Sequence, residues 1–174
     1  MNIIDISNWK PFVLGDLFDI APTVSYKLTN NKLYDGGVHP VVVNSKYNNG
    51  IGGYTSKETT ENAGIITFSD TVDANTIFYQ PVDFVGYSHV QKLVPIGEYA
   101  ECWEQYSLMF FATVFKKVAL TKGFDFGVKF RRDIAIMFDI PLPVLDDGSP
   151  DWHFMKEYMH NKMNEANAII KENI

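Results

Sequence analysis

The sequence predicts a mixed α+β protein: a twisted, β-sheet-rich body with a few helices, followed by one long C-terminal helix. Three observations predict it. Short apolar runs rich in β-branched and aromatic residues recur up to Val94, each bounded by Gly, Pro, Asn or Asp, as in a meandering sheet. From Tyr99 to about Val118 the apolar period changes to three and four, which is helical spacing. After Ser149-Pro150-Asp151 the same spacing holds to about Lys171.

The elements follow in order. Trp9-Lys10-Pro11-Phe12 and Leu14-Gly15-Asp16-Leu17-Phe18 read as a short strand, a turn and a second strand. Residues 21–37, with Pro22, Asn30, Asn31, Gly36 and Gly37, read as a long exposed loop. Strand-like runs follow at Val41–Asn44, Gly64–Phe68, Thr76–Tyr79, Phe84–Tyr87 and Val90–Val94. The glycines of Ser45–Tyr54 (SKYNNGIGGY) lie between two such runs, so they join strands; a phosphate loop leads from a strand into a helix. In the first helix Cys102, Tyr106, Met109, Phe110 and Thr113 form the apolar face, and Lys116 and Lys117 suit the dipole at its end. Pro141 and Pro143 stop any regular element near residue 142. For the last helix Ser149 is the N-cap, Pro150 fits the first helical position and Asp151 meets the dipole. Met155, Met159, Met163, Ala166 and Ile170 form a narrow stripe along it, suited to pairing with a partner helix.

At 174 residues the chain is one domain with a helical appendage. A chain of this size buries roughly 68–70% of its extended surface and folds without disulfide or metal. The single cysteine, Cys102, fits a reducing compartment, and no apolar run approaches the roughly 20 residues that cross a bilayer. With no basic-then-apolar leader at its start, the expected location is the cytoplasm. A net charge of −6 is unlike a simple nucleic-acid binder, but the charge is unevenly spread. Between Lys116 and Arg132 six cations face only Asp125, whereas residues 146–174 carry six acids against three lysines. One end is thus suited to phosphate and the other to water or a protein partner.

Familiar catalytic patterns are missing. No Asp or Glu stands two residues before a Lys, as a common metal-dependent nuclease requires, and no Asp/Asn-Pro-Pro-aromatic run marks an adenine methyltransferase. Gly50–Tyr54 lacks the Gly-Lys-Ser/Thr end of a phosphate loop. The four histidines, His39, His89, His153 and His160, have no zinc-ligand spacing, and Cys102 reads as a small buried hydrophobe on the first helix. No catalytic residue, metal site or cofactor is therefore assigned. What remains is a surface inventory. Asn44, Ser45, Lys46, Tyr47, Asn48 and Asn49 offer donors, acceptors and one aromatic ring; amides pair bidentately with adenine edges, and lysine meets guanine or phosphate. Asn48-Asn49-Gly50 also fits a tight turn with positive φ. Ser88-His89 and Gln91 form a second polar cluster.

With these pieces in order the chain resembles the target recognition domain of the specificity subunits of type I restriction–modification systems. The carriers are Trp9 with Leu14–Phe18, His39–Ser45, Asn48–Tyr54, Asn75–Tyr79, Phe124–Phe130, Ile140–Val144 and Pro150–Met159. The last is close to a Pro-Asp-Trp-x-Phe-Met-x-x-Tyr pattern shared with related bifunctional type II enzymes. The resemblance implies a DNA target recognition domain over residues 1–148 and a spacer or dimerisation helix over 149–174. It implies no catalysis by the chain itself. Methyltransferase subunits, and a motor–nuclease restriction subunit in the full system, would be docked on one half of a split double-stranded DNA site. A complete specificity subunit usually holds two such domains and two helices; this chain has one of each. The resemblance would make it either a half-subunit that pairs with a copy of itself or a fragment of a longer chain.

The expected DNA-contacting residues are Asn44, Lys46, Tyr47, Asn48 and Asn49 in the loop, with Lys116, Lys117, Lys129, Arg131 and Arg132 as cations. Two rivals stand beside this reading. One is a non-catalytic β-rich module binding carbohydrate or protein, for which 14% aromatic residues would supply stacking platforms. The other is an enzyme using Cys102 or a histidine.

Overall fold

The computed structural model describes residues 4–71, 74–124 and 129–172. The chain opens with β1 (Lys10–Val13), a single helical turn α1 (Leu14–Leu17) and β2 (Phe18–Pro22), the strand–turn–strand read from the sequence. A second single turn, α2 (Asn30–Leu33), interrupts the segment expected to be an exposed loop. Its Leu33 is buried against Val41 and Val85, which is why that loop follows the body instead of standing off it.

The hairpin of β3 (His39–Val42) and β4 (Ile51–Thr55) comes next. Here the glycine reading needs correction. Gly52 and Gly53 lie inside β4, not in the joining turn. They are small because Tyr34 crosses the strand: a Cβ on Gly53 would sit 2.7 Å from the Tyr34 ring, and one on Gly52 2.6 Å from its hydroxyl. Only Gly50, at φ +79°, serves the turn. β5 (Ile65–Ser69), β6 (Phe78–Gln80) and β7 (Val90–Pro95) follow, and with β2 they form an antiparallel sheet in the order β2-β7-β5-β6. The run Phe84–Tyr87 does not make a strand of its own. Phe84, Val85 and Gly86 instead bridge singly to Glu61, Val41 and Ser25. Reciprocal bonds Val85 N–H to Pro40 O (2.9 Å) and Val42 N–H to Val85 O (3.0 Å) thereby fasten the β3–β4 hairpin to the body.

Helix α3 (Gln105–Leu120) is the central element. It starts later than its periodicity suggested: Gly97–Cys102 is a separate 3-10 segment, and Glu104 and Ser107 form a reciprocal capping box that sets the first turn. Its phase also differs from the expected stripe. Leu108, Phe111, Phe115 and Ala119 face the core together with Phe110 and Ala112, whereas Thr113 is exposed. Cys102 is exposed too, and not a buried residue of this helix.

After α4 (Arg132–Ala135) comes β8 (Asp139–Leu142), which pairs antiparallel with β1. A strand thus exists where two prolines argued against one. Pro141 lies directly opposite Pro11, and neither residue has an N–H to donate. The pair occupies a non-hydrogen-bonded position, where prolines leave a two-stranded ladder intact. Asp151 accepts the Phe154 amide (2.9 Å) and caps α5 (Trp152–Glu172). The cap is therefore Asp151, two residues later than expected, because Pro150 is held in a bridge to Val144 and Ser149 bonds back to Asp147.

The core runs as a chain of rings. Trp152 meets Trp103 (4.6 Å), Trp103 meets Phe18 (4.8 Å), and Phe18 meets Phe111 (4.8 Å). Phe111 meets Phe115 (6.1 Å), Phe115 meets Phe130 (5.8 Å), and Phe130 meets Phe68 (4.9 Å) at the end of β5. The N-terminal half of α5 packs on this core through the fully buried Met155, with Phe154, Tyr158 and Met159 beside it. From Asn164 to Glu172 the helix is exposed, including Ala166 and Ile170. The stripe expected to pair with a partner helix is thus largely taken up by the chain itself: Met155 and Met159 pack on the core, Met163 lines a groove with Met109, and only Ala166 and Ile170 are exposed.

The shifted cap gives a direct check. Asp151→Ala should lower unfolding stability by about 1 kcal/mol, and Ser149→Ala by less than about 0.5 kcal/mol, compared by urea unfolding.

Candidate nucleic-acid interface

One end of the four-stranded sheet gathers the polar segments that the sequence marked. The C-terminal end of β5 (Ser69) pairs with the start of β7 (Val90), so the turn before β7 and the segment after β5 lie side by side. The β3–β4 connection joins them through one side chain. Asn44 donates its amide to the Ser88 carbonyl (3.2 Å), and its Oδ1 accepts the Ser69 hydroxyl (3.0 Å). Both ends of Asn44 are spent on holding two loops to each other.

The turn itself is built from left-handed residues: Asn48 (φ 48°), Asn49 (φ 54°) and Gly50 (φ 79°). Asparagine and glycine are the residues that tolerate this conformation, so the Asn-Asn-Gly run is a conformational requirement first. Asn49 also points inward. Its amide donates to the Tyr79 carbonyl (3.1 Å) and to Gln80 Oε1 (3.1 Å), and Gln80 donates back to the Asn49 carbonyl (3.2 Å). Gln80 is 2% exposed and is held in turn by Thr67 (2.8 Å).

Three of the five expected loop residues face water: Lys46, Tyr47 and Asn48. Tyr47 is 71% exposed, with the Lys46 ammonium 5.5 Å from its ring centroid. An aromatic ring with a cation over it presents both a stacking face and a charge to a polyanion.

The expected cations divide. Lys116 turns toward the loop: it lines the same open groove as Asn49 and Phe78, donates to the Asn75 carbonyl (3.0 Å) and lies 4.8 Å from the Phe78 ring centroid. Arg131 forms a two-point ion pair with Asp133 (3.0 and 2.7 Å), on side chains 62% and 58% exposed. Lys117, Lys129 and Arg132 are exposed. Lys129 and Arg131 flank Phe130, whose ring packs on Phe68, one residue before Ser69. The basic segment is therefore anchored to the same end of the sheet. Residues 125–128 of the Phe124–Phe130 motif lie outside the described residues.

Reading the sequence missed Ser69, Asp70 and Thr71. Ser69 Oγ lies 3.0 Å from both Asn44 Oδ1 and Thr71 Oγ1, and Asp70 Oδ2 accepts from Gln91 (2.8 Å). The available signal was three polar residues directly after the apolar run Gly64–Phe68. The inward turn of Asn44 and Asn49 had no such signal, since their partners are 25 to 44 residues away. Among the described residues no group of three or more His, Cys, Asp or Glu side chains is placed to hold a metal ion, and no helix is long and apolar enough to cross a membrane.

An α/β body that collects polar loops, an exposed Tyr–Lys pair and basic side chains around one sheet end, with a helix appended, has the make-up of a nucleic-acid-reading module. The chain belongs to the type I restriction modification DNA specificity domain family, whose model matches residues 6–172. It is 27% identical over 164 residues to the type II restriction enzyme specificity subunit S.BcgI of Heyndrickxia coagulans, covering 91% of this chain and 45% of that protein. Its fold is similar to the type I restriction–modification S subunit from M. genitalium (TM-score 0.65, 12% identity), over 95% of this chain and 42% of that one. A second solved chain, from work on complex assembly and conformational transition of the type I R-M system, has TM-score 0.58 and 13% identity, over 99% and 42%. The chain thus spans less than half the length of these relatives.

The geometry separates the loop residues by stability. Asn49→Ala should cost about 1–3 kcal/mol, from the unpaired Gln80 and Tyr79 partners and a left-handed alanine. Lys46→Ala and Tyr47→Ala should stay within about 0.5 kcal/mol of the parent. Thermal or urea unfolding of the three variants reads the difference.

Proposed function

We propose that this chain is one reading unit of a specificity subunit, and that it recognises one half of a bipartite double-stranded DNA site. In this reading residues 1–148 are the target recognition domain and residues 149–174 the spacer helix. The observation that carries it is the family match across almost the whole chain. The exposed Lys46, Tyr47 and Asn48 contact the DNA directly, Asn44 and Asn49 hold them in place, and Lys117, Lys129 and Arg132 meet phosphates.

The unit works without catalysis or cofactor, in the cytoplasm. Its role is to bring methyltransferase subunits, and a motor–nuclease restriction subunit, to the site. The relatives are more than twice as long, so a second reading unit is needed for the other half-site: either a second copy or another part of a longer chain. The exposed end of α5 from Asn164 on, with Ala166 and Ile170, supplies the pairing face for that second unit.

Co-expression with the methyltransferase subunits, followed by mapping of modified bases in host DNA, tests the function. The expected result is modification at one split motif, with its occupancy lost or its sequence altered when Lys46, Tyr47 and Asn48 are replaced together by Ala, Ala and Gly. A palindromic motif is expected if two copies of this chain read it. A stable complex that modifies DNA with no sequence preference would contradict the reading.

A further inference from the structure

The turn Tyr87–Val90 presents the exposed side chain of His89. Val90 N–H closes the turn on the Tyr87 carbonyl (3.2 Å), and His89 occupies its third position with φ +66°, a conformation glycine adopts more easily. The turn is fixed from a second direction. Asp70 N–H donates to the His89 carbonyl (3.0 Å), and the Asp70 carboxylate lies 3.2 Å from His89 Nδ1. Asp70 is itself positioned: its other oxygen accepts the Gln91 amide at 2.8 Å, and Gln91 is 4% exposed. Asn44 binds the Ser88 carbonyl next door, so His89 stands beside the loop that carries Lys46, Tyr47 and Asn48.

Stability does not account for this arrangement. The His89 side chain is 62% exposed, and an exposed pair of this kind contributes little to folding. The backbone position favours glycine, and a buried glutamine is committed to aiming the carboxylate. What the arrangement does achieve is a fixed tautomer. An ionised carboxylate only accepts, so Nδ1 carries the proton of the neutral ring and Nε2 is left as an acceptor. In the major groove the donors that match such an acceptor are the exocyclic amino groups of adenine and cytosine.

We propose that His89 is a sequence-reading residue, whose Nε2 accepts a hydrogen bond from the amino group of an adenine or cytosine in the target, with Asp70 as its positioning residue. The proposal rests on the DNA-reading function above and adds a second contact point to it, in a different loop.

The test uses the chain co-purified with its methyltransferase subunits. Binding is measured on a duplex carrying the mapped site, on duplexes with each base pair changed singly, and on a scrambled duplex, at two salt concentrations. His89→Gly keeps the turn, since glycine suits the backbone. It should weaken binding to the site by about 5- to 150-fold and abolish discrimination at one base pair. Scrambled-DNA binding and the salt dependence should stay as in the parent. Asp70→Ala should relax the same base pair by a smaller factor. Equal loss on site and scrambled DNA, with a shallower salt dependence, would make His89 a phosphate contact and overturn the proposal. So would unchanged discrimination at every base pair. If the parent complex shows no sequence preference at all, the functional reading itself fails, and the two failures are distinct.

Discussion

The contact of α3 with the rings on either side of it is the constraint on which the rest of the structure depends. Phe111 and Phe115 occupy the middle of a continuous series of rings that begins on α5 at Trp152 and ends on β5 at Phe68. Each such contact contributes roughly 0.5–1.5 kcal/mol beyond the area it buries, and aromatic packing at preferred angles fixes orientation as well as distance. The appended helix and the sheet end are therefore not independently placed. Phe68 is followed directly by Ser69 and Asp70, so the polar surface begins where the ring series stops.

That polar surface shows a division of labour within a few residues. Asn44 and Asn49 look interchangeable with Asn48 in the sequence, yet Asn49 directs its amide into the body and Asn44 spends its own on the neighbouring loops. For Asn49 the left-handed turn of Asn48, Asn49 and Gly50 sets its direction apart from that of Asn48, whereas Asn44, outside that turn, is held by Ser88 and Ser69. A rigid turn lets Lys46, Tyr47 and Asn48 be exposed without being loose, because the ordering cost has been met by hydrogen bonds elsewhere. The buried Gln80 and Gln91 play parallel parts beneath the two loops, each holding one partner in place.

Much of the fold was legible in the sequence, and the failures have specific causes. The α+β class and the strands β3, β5, β6 and β7 followed from apolar runs and turn residues. The opening strand–turn–strand followed the same way, and the final helix from spacing. β4 was missed because Gly52 and Gly53 read as turn residues, whereas they are required by the ring of Tyr34. β8 was missed because the proline rule is local, and its exception depends on which residue lies opposite across 130 positions. The phase of α3 was misjudged because Met109 and Thr113 fit the period as well as Leu108 and Phe111; only tertiary packing chooses between them. Among the polar segments, composition marked the loop Asn44–Asn49 and the cluster Ser88, His89 and Gln91. It could not show that Asn44 ties one to the other, since that depends on a contact 44 residues away in sequence.

The pairing of β1 with β8 has a consequence for how such a protein changes over time. It brings Lys10 beside Leu142, so the stretch that leaves the ladder at one strand returns to it at the other. The residues proposed above to contact DNA all lie between these two strands, while α5 departs just after the second. Two crossovers in a gene, one near each strand, would exchange the whole reading surface and leave the helix unchanged. The graft would succeed only if the incoming α3 accepted Phe154, Met155 and Tyr158, since those side chains close the core from outside the exchanged piece. The exchanged piece would also have to supply partners for Trp152, which packs on Tyr99 and Trp103 ahead of α3.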